Sequence, residues 1–251
     1  MKVNMPISFL NQFMYQNWED LVMLHYKADP QHISDRLPYG LEVDLCQDQA
    51  WLSVVAFRLT NLRIRPITWF RWRDFWEINL RTYVRDKNGK KGVWFYSLDS
   101  SDSLGVVGAR LLYGLPYFHA EIHRDGMPQS GKLTYSGTRK DGSRSSIGTT
   151  WKPEEVGQKL AKGELDHFLL ERYRFWSRPR FDKVCGSACV KHRPYDAVRI
   201  SSGCYRGDLF SSQGLKEPEV QPVFGHYCPG FAVEANAPSW AFSISGQANQ
   251  R

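Results

Sequence analysis

Residues able to do chemistry concentrate between Trp76 and His119. Glu77, Asn79, Arg81, Tyr83 and Arg85 recur at every second position, with Ile78, Leu80, Thr82 and Val84 between them. In an extended strand that period puts these five side chains on one face and the remainder on the other. Ser97 and Asp99 follow in a second β-patterned run, then Arg110, Tyr117 and His119. A plain core does not hold so many polar groups in otherwise apolar segments. Two readings stand open. In one, these residues line a cavity where Arg110 or Arg81 grips a ligand carboxylate or phosphate through its planar N–H donors, and Glu77 or His119 moves a proton. In the other, Arg110 neutralises a buried Glu77 or Asp99 and the Tyr and Asn side chains complete a structural network.

Other constellations carry less. Ser97, Asp99 and His119 invite a hydrolase reading, but no G-x-S-x-G nucleophile elbow is present and the serine lies inside a strand pattern. Cys185, Cys189 and His192 have a C-x3-C-x2-H spacing, and Cys204, His226 or Cys228 could supply a fourth zinc ligand. The paired short knuckles of structural zinc sites are missing, so buried free thiols and no metal are expected. His25 and His167 stand alone in apolar stretches and read as core or surface histidines. GVVGAR lacks the Walker lysine and the dinucleotide spacing, and no cofactor is expected. Between Arg58 and Arg73 the chain turns basic and aromatic, with Arg63, Arg65, Trp69, Arg71 and Trp72. No nucleic-acid motif accompanies these arginines, so a solvated loop or a contact between copies of the chain is favoured over polyanion binding.

The elements that must position these residues are legible from their punctuation. Trp76 to Leu98 reads as a hairpin around DKNGKKG, with Asn88-Gly89 predicted to form a type I′ turn in which both residues take positive φ. A second hairpin is predicted over Lys132 to Trp151, turning near Asp141-Gly142. Asp29 caps a short helix that starts at Pro30 and ends by Leu37, before Pro38. Ala50 to Leu59 is a strand, and the basic stretch after it a long loop. Asp102 or Ser103 caps a helix through Tyr113, Gly114 supplies its left-handed end, and Pro116 forbids continuation. Gly105, Gly108 and Ala109 let this helix approach a neighbour closely. Arg110, among Val106, Val107, Leu111 and Leu112, sits either at the helix edge or buried beside a carboxylate. Glu164 to Trp176 is predicted helical, Phe181 to Phe231 short strands and loops, and the tail after Ser239 frayed.

The chain has 251 residues, 42% apolar and 24% charged, with 33 Lys+Arg against 26 Asp+Glu for a net charge of +7. That composition is globular, and the length suffices to bury a core without disulfides. Nine tryptophans and 14% aromatics exclude a disordered or coiled-coil chain. No apolar run is long enough to span a membrane or serve as a signal-peptide core, and five cysteines without repeated spacing fit reduced thiols, so a cytoplasmic protein is expected. No repeat or linker divides the chain. The expected organisation is an extension over 1–17, one domain over 18–238 and a tail over 239–251.

The string WEINLRTYVRDKNGKKGVWFYSLDSSDSLGVVGARLLYGLPYFHAEI resembles the uncharacterised bacterial YqjF-like family. Trp18-Glu19-Asp20 with His25-Tyr26, LPYGLEVDLCQDQAWLSVVAFRL, LLERYRFW, HRPY at His192 to Tyr195 and Cys228-Pro229-Gly230 resemble that family in the same order, covering roughly Trp18 to Val233. That family in turn resembles the acetoacetate decarboxylase-like fold. The resemblance implies an α+β, mainly antiparallel β fold, curved and barrel-like around an internal cavity, with a few short helices. Acetoacetate decarboxylases carry Gly-Arg-Glu, a few apolar residues and Gly-Phe-Pro-Lys-Lys, whose first lysine forms the Schiff base. Here the matching order is Ala109-Arg110-Leu111 and Gly114-Leu115-Pro116-Tyr117-Phe118, so Arg110 matches the family arginine and Glu77 its glutamate. Neither Tyr117 nor Phe118 supplies the primary amine that a Schiff base requires. The resulting expectation is a small anionic or carbonyl metabolite bound without Schiff-base lysine chemistry. Lysine-independent acid–base chemistry is open to such a protein; a non-catalytic sensor or carrier, and after it a polyanion-binding module, are the alternatives.

Overall fold

The structure is a computed structural model and describes residues 12–157, 163–178 and 185–239. The strands are β1 (Gln12–Ala28), β2 (Leu41–Val43), β3 (Ala50–Ile64), β4 (Phe75–Asp86), β5 (Lys91–Ser100), β6 (Tyr117–Met127), β7 (Lys132–Arg139), β8 (Arg144–Thr150), β9 (Arg174–Ser177), β10 (Gly186–Lys191), β11 (Val198–Arg199), β12 (Ser202–Gly207) and β13 (Phe224–Asn236). Among the described residues, three α-helices, α1 (Pro30–Ser34), α2 (Ser103–Tyr113) and α3 (Glu164–Leu170), interrupt them. The expected mainly antiparallel β fold with a few short helices is what forms. All strand pairs among the described residues are antiparallel except those of β5 with β6 and β9.

The sheet runs β12-β8-β7-β6-β5-β9-β10-β13-β1-β3-β4-β2, and β4 also pairs with β5. That extra pairing closes a ring of seven strands, β5-β9-β10-β13-β1-β3-β4, from which β6, β7, β8 and β12 extend as a ladder. One apolar cluster draws on every ring strand: Met14 of β1, Trp51 of β3, Tyr83 of β4, Leu98 of β5, Phe175 of β9, Ala188 of β10 and Phe224 of β13, with Phe168 and Leu169 of α3. It therefore lies inside the ring. The opposite faces of β1, β3 and β4, with Val22, Leu24, Val54, Ala56, Ile78 and Leu80, pack on Tyr135, Ile147 and Tyr205 of the ladder. Both faces of β4 are thus buried, one apolar and one carrying the polar row.

Local signals formed the helix ends and hairpins. Asp29 accepts from the Gln31 N–H at the start of α1, and Asp102 from the Gly105 N–H at the start of α2, which ends at Gly114 with φ 60°. The β7–β8 hairpin turns at Gly142 as predicted. At the β4–β5 hairpin only Gly89 has positive φ, so the turn is not type I′. The Asp86 carboxylate accepts from the Asn88 and Lys90 N–H groups and closes a four-residue loop instead.

Elsewhere long-range pairing overrode local pattern. β3 continues to Ile64, into the predicted loop, because β1 pairs with it as far as Ile64. The helix predicted to Trp176 stops at Leu170, since Phe175 and Trp176 are taken up by β10 on one side and β5 on the other. The predicted run of short strands to Phe231 ends in β13, thirteen residues long. β1 was not anticipated, and it starts at Gln12, within the expected N-terminal extension. Residues 181–184 and the tail from 240 on lie outside the described residues.

Candidate functional site

The alternation read from β4 places Glu77, Asn79, Arg81 and Tyr83 on the inner face of the ring. All four are buried. Glu77 accepts from the Tyr117 hydroxyl at 2.7 Å and from the Asn79 side-chain N–H at 3.0 Å. Burial pushes the Glu77 pKa up to about 7 against those two hydrogen bonds, with Asp99 adding to the rise and Arg81 opposing it. Burial and the neighbouring Glu77 carboxylate hold the Tyr117 phenol well above its ordinary value. Arg81 is 7% exposed, yet its Nε and Nη2 have no hydrogen-bond partner; its guanidinium carbon lies 6.0 Å from the Tyr83 ring centre. Asn79 Oδ1, on the same face, is also buried and unpartnered. A desolvated cation with two free donors is costly to keep.

The remaining candidates lie elsewhere. Ser97 and Asp99 pair with Leu80 and Ile78, so they face the ladder. There Arg139 of β7 clamps Asp99, with Nε at 2.9 and 3.0 Å from its two oxygens and Nη2 at 2.6 Å, and lies 4.1 Å over the Phe118 ring. Arg139, not Arg110, is the counter-charge. Arg110 is exposed at the edge of α2, where it donates to the Tyr117 carbonyl at 2.6 Å and lies over Phe118. It does not join the polar row, because its helix presents it to solvent with Leu104, Val107, Leu111 and Leu112. His119, half-buried, follows Tyr117 along β6 on the same side but makes no hydrogen bond to the row.

A second buried polar chain was missed in the sequence reading. His25 of β1, His226 of β13 and Asp166 of α3 are connected in series, and Ser53 of β3 joins His25 to Tyr83. The signal was present: His25 and His226 each interrupt an apolar run, as a polar group does when partners await it. Asp166 and Arg139 gave none, since their partners lie 60 and 40 residues away.

Among the described residues, no group of three or more His, Cys, Asp or Glu side chains is placed to hold a metal ion. His192 stacks on Phe231 at 4.6 Å, and Cys189 lies in β10. The loop arginines are largely engaged within the chain: Arg58 and Arg71 by Asp74, Arg73 by Asp102, Arg63 by Asn61 and Arg65 by Tyr15. A surface cleft of about 460 Å³ is lined in part by Cys46, Lys91, His167 and Arg174. Phe168 and Arg172 also line it, and both pack on Tyr83. No described helix is long and apolar enough to cross a membrane.

Comparison with known proteins fits this architecture. The family DUF2071, described as an uncharacterized conserved protein, matches residues 15–232. The uncharacterized protein YqjF of Bacillus subtilis (strain 168) is 33% identical over 215 residues, covering 85% of this chain and 86% of YqjF. Acetoacetate decarboxylase of Legionella pneumophila subsp. pneumophila str. Philadelphia 1 superposes with a TM-score of 0.60 at 13% identity, over 93% of this chain and 90% of the decarboxylase. The enduracididine biosynthesis enzyme MppR complexed with pyruvate gives 0.58 at 13% identity, over 92% and 91%. At such identities the likeness shows a shared fold and no shared chemistry.

Proposed function

This chain belongs to the DUF2071 family and has the acetoacetate decarboxylase-like fold, and from that premise we propose that the interior of its ring binds a small carboxylate, with Arg81 as the anchor. The observation that carries the reading is Arg81 itself: a buried guanidinium with Nε and Nη2 unpartnered, which is the donor pair that a carboxylate engages side by side. Asn79 Oδ1 offers an acceptor beside it for a ligand hydroxyl or amide. Glu77, with its pKa near neutrality, is suited to give or take a proton at a carbonyl-bearing ligand. Tyr117 stands where the resemblance puts the Schiff-base lysine, and its hydroxyl is committed to Glu77, so the chemistry is acid–base and not imine formation. The solved MppR complex with pyruvate makes 2-oxo acids the first ligands to try. Five cysteines without a repeated spacing fit a cytoplasmic setting.

Acetate, pyruvate and acetoacetate, screened by thermal shift, should protect the wild type, because a ligand that binds only the folded state stabilises by RT ln(1 + [L]/Kd). Arg81→Met should lose that protection. Without ligand it should melt at the same temperature or higher, since it removes an unpaired buried charge. Borohydride added with acetoacetate should leave no covalent adduct. Failure of every carboxylate to protect the wild type, or protection that survives in Arg81→Met, would refute the assignment.

A further inference from the structure

Behind Arg81 runs a line of buried hydrogen bonds that the proposed binding step does not use. Ser53 is the cross-strand neighbour of both Arg81 and His25, so the three stand in a row across β4, β3 and β1. From Tyr83 Oη the chain passes to Ser53 Oγ at 2.7 Å, to His25 Nδ1 at 2.8 Å, from His25 Nε2 to His226 Nδ1 at 3.0 Å, and from His226 Nε2 to Asp166 Oδ1 at 3.0 Å. Asp166 is held in turn by the Gly163 N–H and by Arg199, whose side chain is 58% exposed. Both histidines are 0% exposed.

This chain has two complete hydrogen-bonding patterns that differ by one proton. With the pair neutral, His226 donates from Nε2 to Asp166 and accepts at Nδ1 from His25, which accepts at its own Nδ1 from Ser53. With one proton added, every bond reverses as far as Tyr83. His226 then donates from both nitrogens, His25 donates to Ser53, Ser53 donates to Tyr83, and Tyr83 donates to the Leu169 carbonyl, 3.1 Å away. Neither pattern strands a donor or needs a side chain to move.

The charged and titratable groups facing the pair decide which pattern holds. Asp166 from α3 favours the proton, but Arg199 of β11 shares its charge. Arg81 from β4 opposes the proton, with the Tyr83 hydroxyl beside it; burial raises the Tyr195 phenol, ahead of β11, and the Cys228 thiol, next to His226 on that face of β13, so neither adds a charge. Phe224 packs on both imidazoles at 5.3 and 5.5 Å and keeps water from them. Burial first, then His226 and Arg81, hold the His25 pKa well below its ordinary value, against Asp166. Asp166 stays well below the carboxylate range: burial would raise it, but hydrogen bonds from His226, Arg199 and Gly163 prevail.

We infer that the His25–His226 pair is a proton store coupled to Arg81, so that an anion arriving at Arg81 draws one proton from solvent onto the pair. The inference rests on the anion reading above and adds its pH linkage. A bound carboxylate cancels the charge that keeps the pair neutral, and by reciprocity the protonated pair holds the anion more tightly. Anion affinity should therefore fall with rising pH, by up to about tenfold per pH unit where the free pair is neutral and the bound pair protonated.

Two measurements test this, one without ligand. The imidazole C2–H resonances of the pair, followed by NMR against pH, should titrate at least about one unit higher in Arg81→Met than in wild type. An unmoved midpoint overturns the coupling. In the second, pyruvate and acetate are titrated into wild-type protein by calorimetry in PIPES and in Tris, whose ionisation heats differ. The difference reports the protons taken up per anion. Arg81 also lowers the Glu77 carboxyl, which can take up part of a proton, so the pair's share is read by comparing proteins: uptake per anion should be smaller in His226→Gln than in wild type by up to about one proton. Pyruvate or acetate bound with the same proton uptake in wild type and His226→Gln overturns the inference and leaves the carboxylate site standing. If neither probe binds, the carboxylate site falls and the linkage with it, whatever the resonances show.

Discussion

Glu77 is the side chain whose proton reports on the ring interior. Its folded pKa, about 7, is raised above the ordinary 4.5, so the folded protein keeps a proton that the unfolded chain gives up. The stability from that retained proton is full below about pH 4.5, drains as pH rises and is gone above about pH 7, a span worth roughly 3 kcal/mol. Glu77→Gln is neutral throughout and should remove this slope. Urea unfolding at pH 5 and pH 8 checks it, and wild-type and variant stabilities that change in parallel would contradict the assignment. On the ladder side, Arg139→Met strands Asp99 and should cost about 3–5 kcal/mol in thermal or urea unfolding. Arg110→Met, at an exposed helix edge, should cost less than about 1 kcal/mol. Equal losses would mean that Arg110 carries a burden its surroundings do not suggest. The polar face of β4 was legible because it needed only the period of a strand. The partner of Asp99 was not, because the β7 strand that delivers Arg139 is recruited through tertiary pairing.

At the scale of elements, Asp102 joins two segments that sequence separates. It caps α2 through the Gly105 N–H at 3.1 Å and accepts from the Trp72 indole and the Arg73 guanidinium, which anchors the arginine-rich loop to the helix. Burial would raise its pKa, but these donors hold it below the ordinary value. Asp102→Ala should cost about 1–2 kcal/mol for the cap alone and more once the loop is released. Asp102→Asn, which keeps the cap but not the charge, should fall between. Melting temperatures together with trypsin cleavage at Arg71 and Arg73 would read both effects, and a variant that loses the cap without easier cleavage would separate loop from helix. The cap was readable because it is a local event between a carboxylate and the next turn. The same locality misplaced the end of α3, where Phe175 and Trp176 suit helix or strand and the edges of β5 and β10 decide.

For the whole molecule, the mainly antiparallel class was foreseeable from hairpins and β-branched runs, and from resemblance to a family. The closed ring was not. It depends on β1 sitting between β3 and β13, and neither β1 nor the length of β13 has a turn signal to announce it. His25 and His226 meet although 201 residues apart in the chain. During synthesis, β1 emerges ahead of the other described strands and waits with one edge unpaired until β13 has been made. β3 can cover its other edge early, but the histidine pair, the ring interior and any proton linkage come into being only when the last strand docks. Assembly of the site thus waits on β13, and a nascent chain cut short before Phe224 presents β1 as an open edge for pairing with other chains.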